Sequence, residues 1–116
     1  MMLLEILKSK VHGAKVTGRN LEYVGSIKID ASLVTAAGML EHEKVLVSNL
    51  ANGERFETYV ILGKWGSGIV EVNGAAAKLA KKGDKLIIMS FAFMTDEEAK
   101  KHKPNVVILD EKNKGI

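Results

Sequence analysis

Val45-Leu46-Val47-Ser48-Asn49-Leu50-Ala51-Asn52-Gly53-Glu54-Arg55-Phe56-Glu57-Thr58-Tyr59-Val60-Ile61-Leu62 reads as strand, turn, strand. Val45 and Val47 flank Leu46 with the period of two that an extended chain imposes. Asn52-Gly53 is the dipeptide of a type I′ hairpin turn, whose two central residues both need positive φ. Val45–Leu50 and Arg55–Leu62 are therefore expected to pair antiparallel. Along the second arm, Arg55, Glu57 and Tyr59 fall on one face, and Phe56, Thr58, Val60 and Leu62 on the other.

Working outward, Ile27 and Ile29 alternate with Lys28 as in another strand. Asp30 can cap a short helix through Ala36 or Ala37 that Gly38 ends, and Asn73 can cap one over Ala75–Ala80. Thr95-Asp96-Glu97-Glu98 has capping-box spacing, and the helix it starts should stop before Pro104. Lys85–Met94 and Val106–Leu109 read as buried strands. Gly66-Ser67-Gly68 reads as a flexible hairpin turn and Glu111–Ile116 as a frayed polar tail. Many short strands with glycine turns make one mainly β domain spanning residues 1–116, a small closed barrel with short helices.

Composition narrows the function. The 116 residues are 47% hydrophobic and 27% charged with a net charge of +3, as in a globular protein. Seventeen basic residues are scattered and the aromatics are one Trp, two Tyr and three Phe, a poor platform for nucleic acid. There is no cysteine, so disulfides, zinc thiolates and cysteine nucleophiles are excluded. His12, His42 and His102 lack metal-ligand spacing, so no metal is expected. Met1-Met2-Leu3-Leu4 runs into Glu5 and Lys8, too short for a signal peptide, and no run approaches membrane-spanning length. No membrane partner is expected, and a cytoplasmic location is.

Gly25-Ser26, within Leu21–Asp30, carries distinctive chemistry. A serine Oγ can add to the preceding carbonyl, exchanging amide for ester; β-elimination and hydrolysis then leave a pyruvoyl group in place of Ser26. Gly25 has no Cβ to obstruct attack and tolerates a strained backbone. The dipeptide is common in turns and recurs at Gly66-Ser67, so its context decides. Lys10-Val11-His12, Tyr23-Val24-Gly25-Ser26, Asn52–Tyr59 and Val72-Asn73-Gly74-Ala75-Ala76-Ala77, in that order, together resemble the bacterial aspartate 1-decarboxylase family, pyruvoyl enzymes that make β-alanine for pantothenate biosynthesis. The likeness runs from about Lys8 to Leu109.

The resemblance implies a double-ψ β-barrel, a homotetramer with sites between subunits, and a strand at Met1–Leu7, where Leu3, Ile6 and Leu7 alone would also fit a helix. It implies cleavage between Gly25 and Ser26 into chains 1–25 and 26–116, spontaneous or helped by a maturation factor, with Tyr23, Thr58 and Asn73 beside the processing site. The pyruvoyl from Ser26 would form the Schiff base with L-aspartate, with neither metal nor pyridoxal phosphate. Arg55 and Lys10 would hold the two substrate carboxylates, the Lys-x-His spacing choosing Lys10 over Lys8. Tyr59 would be the proton donor, and Thr58, Gly74, Ala75 and Ala76 would contact substrate. Strict alternation separates Thr58 from Tyr59, so one of them must arrive by a bend or from another subunit. A pyruvoyl decarboxylase of another amino acid and a non-enzymatic β-barrel binding module are the alternatives.

Overall fold

In the computed structural model, which describes residues 1–116, eight strands follow one another: β1 (Leu4–Lys15), β2 (Gly18–Asn20), β3 (Ser26–Asp30), β4 (Lys44–Asn49), β5 (Arg55–Gly63), β6 (Val70–Asn73), β7 (Lys85–Met94) and β8 (Asn105–Ile108). Helix α1 (Ala31–Ala36) follows β3, a 3₁₀ helix (Gly74–Leu79) follows β6, and α2 (Asp96–Lys101) follows β7. The strands form one mixed sheet in the order β2-β6-β3-β5-β4-β7-β1-β8. Only β4 and β5 are neighbours both in sequence and in the sheet. Every other ladder is made by distant segments, and β1–β8, β2–β6 and β3–β5 are parallel.

The inner face is built of β-branched residues that suit a pleated surface. Val11, Ile27, Ile29, Val45, Val47, Val60, Val70, Val72 and Ile88 are all buried in one cluster with Leu86. The sheet curls around this cluster. Thr17, just past β1, stitches that strand to β6: its backbone N–H donates to the Val70 carbonyl at 2.8 Å, and its hydroxyl accepts from the Val70 N–H at 3.0 Å. No helix is long and apolar enough to cross a membrane.

The 45–62 hairpin forms with Val47 opposite Phe56 and Ser48 opposite Arg55, but its turn is not type I′. Gly53 has φ +76 whereas Asn52 does not enter the left-handed region. Asn49 and Asn52 instead act through their side-chain oxygens, which accept from the N–H groups of Ala51 and Glu54, and Gly53 N–H bonds the Asn49 carbonyl at 2.8 Å. The loop thereby lengthens to Leu50–Glu54. Leu62 also departs from the expected core face and is 44% exposed.

Three further expectations are corrected. Strand β8 lies at the sheet edge with Val106 and Ile108 about half exposed, because only one neighbour covers it. The C-terminal segment is pinned: buried Asn113 accepts from the Lys15 N–H and donates to the Lys15 and Gly68 carbonyls, each at 2.8 Å. Gly66-Ser67-Gly68 is neither a hairpin turn nor loose. It belongs to a crossover from β5 to β6 that passes β3, and the Gly66 and Gly68 N–H groups donate to the buried Asp30 carboxylate at 2.9 and 2.8 Å.

Asp30 meets the expectation of a cap, since its Oδ1 also accepts from the Ser32 N–H and hydroxyl at the start of α1. The expected capping box at Thr95 and Glu98 is present too. Burial pushes the Asp30 carboxyl up, but donation from Gly68, Ser32 and Gly66 outweighs it and holds the group below its ordinary 3.8. A lowered folded value stabilises above the unfolded one, and that stabilisation fades as pH falls through the folded value. Asp30→Asn puts an amide donor among donors and should lose about 1.5–3 kcal/mol near neutrality. Thermal midpoints measured against pH should differ most at pH 7 and begin to approach one another only as pH falls below about 3.8 toward the lowered folded value.

Candidate active site

Ser26 opens β3 and Asn73 closes β6, and the antiparallel register sets them opposite each other. Both are buried. Asn73 Nδ2 donates to Ser26 Oγ at 3.1 Å, and Ser26 Oγ donates to the Val24 carbonyl at 3.4 Å. Asn73 stands at the start of the 3₁₀ helix as expected, but makes no side-chain cap bond. Its amide is committed to Ser26, and its Oδ1 is buried without a partner. An unpaired buried acceptor is destabilising, so the arrangement retains an acceptor next to the serine.

Gly74 brings the chain across the dipeptide. It has φ +74, and a Cβ there would lie 2.6 Å from Gly25 Cα, 2.8 Å from Gly25 N and 3.2 Å from the Tyr23 carbonyl oxygen. A side chain is barred by both conformation and space. Gly25 is less constrained than its sequence suggests. It lacks a positive φ, and a Cβ there would meet nothing within 4 Å. The steric requirement for glycine thus sits on Gly74, at the start of the 3₁₀ helix that follows the opposing strand. Tyr23, Gly25, Ser26, Asn73 and Gly74 come together, with exposed Ala75 and half-buried Ala76 following in the first turn of the 3₁₀ helix.

Strand β5 approaches the same place. Ile27 is level with Val60 in the parallel β3–β5 ladder, so one residue earlier Tyr59 comes level with Ser26 on the face away from the core. Thr58 pairs with buried Val45 and stands on the inner side, while Arg55 pairs with Ser48 and is exposed. The separation of Thr58 from Tyr59 therefore persists within one protomer. Lys10 is not brought to Ser26. It lies on β1, in line with Met89, Leu46 and Glu57 across β7, β4 and β5.

Ion pairing separates the basic candidates. Lys8, at a bulge in β1, bonds Glu43 and the Gly38 carbonyl at 2.8 and 3.1 Å. Neither Lys10 nor Arg55 takes part in any of the ion pairs, which leaves both cations available to a ligand. No group of three His, Cys, Asp or Glu side chains converges to hold a metal ion.

The profile of the aspartate decarboxylase family matches residues 2–116 of this chain. The chain belongs to that family. An aspartate 1-decarboxylase of Caldicellulosiruptor saccharolyticus is 59% identical over 113 residues, covering 97% of this chain and 88% of the relative. Those of Ruminiclostridium cellulolyticum and Bacillus velezensis are 56% and 53% identical, covering 97% of this chain and 88% and 89% of their own.

In this family member two contributions escaped the sequence reading. Asp30 was legible as a cap but not as the anchor of a loop 36 residues away. Gly74 was legible as a small residue in a helix start but not as the contact surface of Gly25, although Asn73-Gly74 repeats the turn dipeptide of Asn52-Gly53. Gly74→Ala should lose at least about 1–2 kcal/mol, the penalty of a left-handed L-residue, and displace the Tyr23–Gly25 segment. Gly25→Ala should melt within a few degrees of the parent. Paired chemical denaturation curves of the two variants check this contrast.

Proposed function

We propose that this chain is a cytoplasmic, self-processing, pyruvoyl-dependent aspartate 1-decarboxylase, converting L-aspartate to β-alanine and CO₂ for pantothenate synthesis. The observation that carries this reading is Ser26 buried against Asn73, with Gly74 crossing Gly25, in a chain of the aspartate decarboxylase family.

Ser26 Oγ attacks the Gly25 carbonyl, and the amide becomes an ester. Asn73 holds the hydroxyl oxygen while Gly74 leaves the scissile backbone uncovered by side chains. Elimination then frees the Gly25 carboxylate, and hydrolysis of the resulting enamine expels ammonia, giving chains 1–25 and 26–116. The surroundings fit a small carbonyl group at position 26: an amide donor 3.1 Å from Oγ and open space where a Gly25 Cβ would stand. When formed, that group supplies the electron sink that loss of an α-carboxylate requires.

The remaining roles belong to side chains. Arg55 grips one substrate carboxylate through its forked donors, and Lys10 meets the other. Tyr59, level with position 26, delivers the proton that replaces CO₂. Tyr23 lies beside the processing bond, Thr58 adjoins Tyr59 on β5 but faces the inner side of its own protomer, and the Gly74-Ala75-Ala76 backbone leaves room for substrate. Arg55 and Lys10 are three strands apart, roughly 14 Å along the sheet at about 4.8 Å per strand. Lys10 on β1 is, moreover, four strands from Ser26 on β3 and out of line with it, which favours sites completed by a second protomer in a homotetramer.

Intact mass is the direct test. The mature protein should give Met1–Gly25 and a larger fragment one ammonia lighter than simple hydrolysis produces, while Ser26→Ala stays full length and inactive. A free Ser26 amine, or an uncut wild-type chain after prolonged warming, refutes self-processing. Tyr59→Phe should cleave normally yet form β-alanine far more slowly per pyruvoyl group. Arg55→Ala or Lys10→Ala should each lower kcat/KM for aspartate roughly ten- to hundred-fold, as loss of one charge-assisted contact does.

A further inference from the structure

Lys28 occupies the middle of β3, two residues beyond Ser26, between Glu71 on β6 and Ile61 on β5. Glu71 is its natural ion-pair partner by register. Yet Lys28 takes part in none of the ion pairs. Its stem runs over Gly63, where a Cβ would lie 3.3 Å from Lys28 Cγ, and its ammonium stands 5.9 Å from the centre of the Tyr23 ring. That is the range of a cation–π contact.

The segment it reaches needs such a hold. Leu21, Tyr23 and Val24 are about half exposed or more, and no turn or loop backbone hydrogen bond involves Tyr23, Val24 or Gly25. The tethers present are the Ser26 hydroxyl on the Val24 carbonyl, long at 3.4 Å, and the close passage of Gly74 beside the Tyr23 carbonyl and Gly25. On one side, then, the bond to be broken rests on Gly74. On the other, Tyr23 is tied back through its ring to the strand that carries Ser26.

From this geometry we infer that Lys28 is a positioning residue for backbone cleavage, holding the Tyr23 ring so that the Gly25 carbonyl stays in reach of Ser26 Oγ. The inference rests on the self-processing reading and adds to it the device that keeps a lightly tethered segment in place. A fixed near-attack geometry is what converts a slow backbone rearrangement into a productive one. Lys28 acts through Tyr23 and touches neither reacting atom.

Cleavage is followed by intact mass on freshly purified protein. Lys28→Met, which keeps the stem and removes the charge, should slow cleavage roughly two- to five-fold, the factor that an exposed cation–π contact supports. Lys28→Arg should restore it. Tyr23→Leu should slow cleavage, and adding Lys28→Met to it should slow it no further. Wild-type rate in Lys28→Met, or a full additional loss in the double variant, overturns the inference. A second readout is independent of cleavage: in Ser26→Ala protein, backbone 15N order parameters across Leu21–Gly25 should fall when Lys28→Met is added. Unchanged order parameters also overturn it. If wild-type protein never cleaves, the self-processing reading fails by itself, and the order-parameter measurement still decides whether Lys28 holds Tyr23.

Discussion

The carboxylate of Asp30 is the fixed point on which the arrangement around Ser26 depends. It is buried at the end of β3 and accepts from the Ser32 N–H and hydroxyl and from the Gly66 and Gly68 N–H groups. Burying a charge is destabilising unless donors replace its water, and here the donors come from both sides of one strand. One set starts α1. The other holds the crossover from β5 to β6, and the Asp30 N–H bonds the Ile69 carbonyl at 2.9 Å in the same place.

Register follows from that anchor. With the crossover tied to the end of β3, β6 enters beside β3 at Val70 opposite Ile29 and runs back to set Asn73 opposite Ser26. The side-chain period in a strand is two, so a slip by one residue would turn Asn73 into the core and bring Val72 to the serine. The chain then turns at Gly74 with φ +74, pressed on Gly25. Anchor and site lie at opposite ends of the same five-residue strand. Stability at one end sets geometry at the other.

The cationic groups follow a different logic. Lys8 and Lys10 are two residues apart on β1, yet the bulge between Leu7 and Ser9 re-aims Lys8 toward Glu43 and the Gly38 carbonyl. Lys10 and Arg55 remain unpaired on strands three apart.

Local pattern determined a great deal. Alternation found β3, β4 and β5, an apolar run found β7, cap chemistry found the starts of α1 and α2, and the ordered segments around Gly25-Ser26 and Asn73-Gly74 pointed to the family. These features were legible because each is fixed by residues within a few positions of one another. What only the tertiary structure decided is every relation between distant segments. Asn73 looked like a cap by local pattern, and only the resemblance set it near the processing bond; strand pairing across 47 positions supplies the bond to Ser26 that its cap position lacks. The tail from Glu111 looked frayed and is pinned through Asn113 to Lys15 and Gly68. Gly66-Ser67-Gly68 looked loose and is tied to Asp30. All but one pair of neighbouring strands are non-consecutive in the chain. Periodicity reports which face a residue prefers, but the identity of the strand beside it emerges only when the whole core closes.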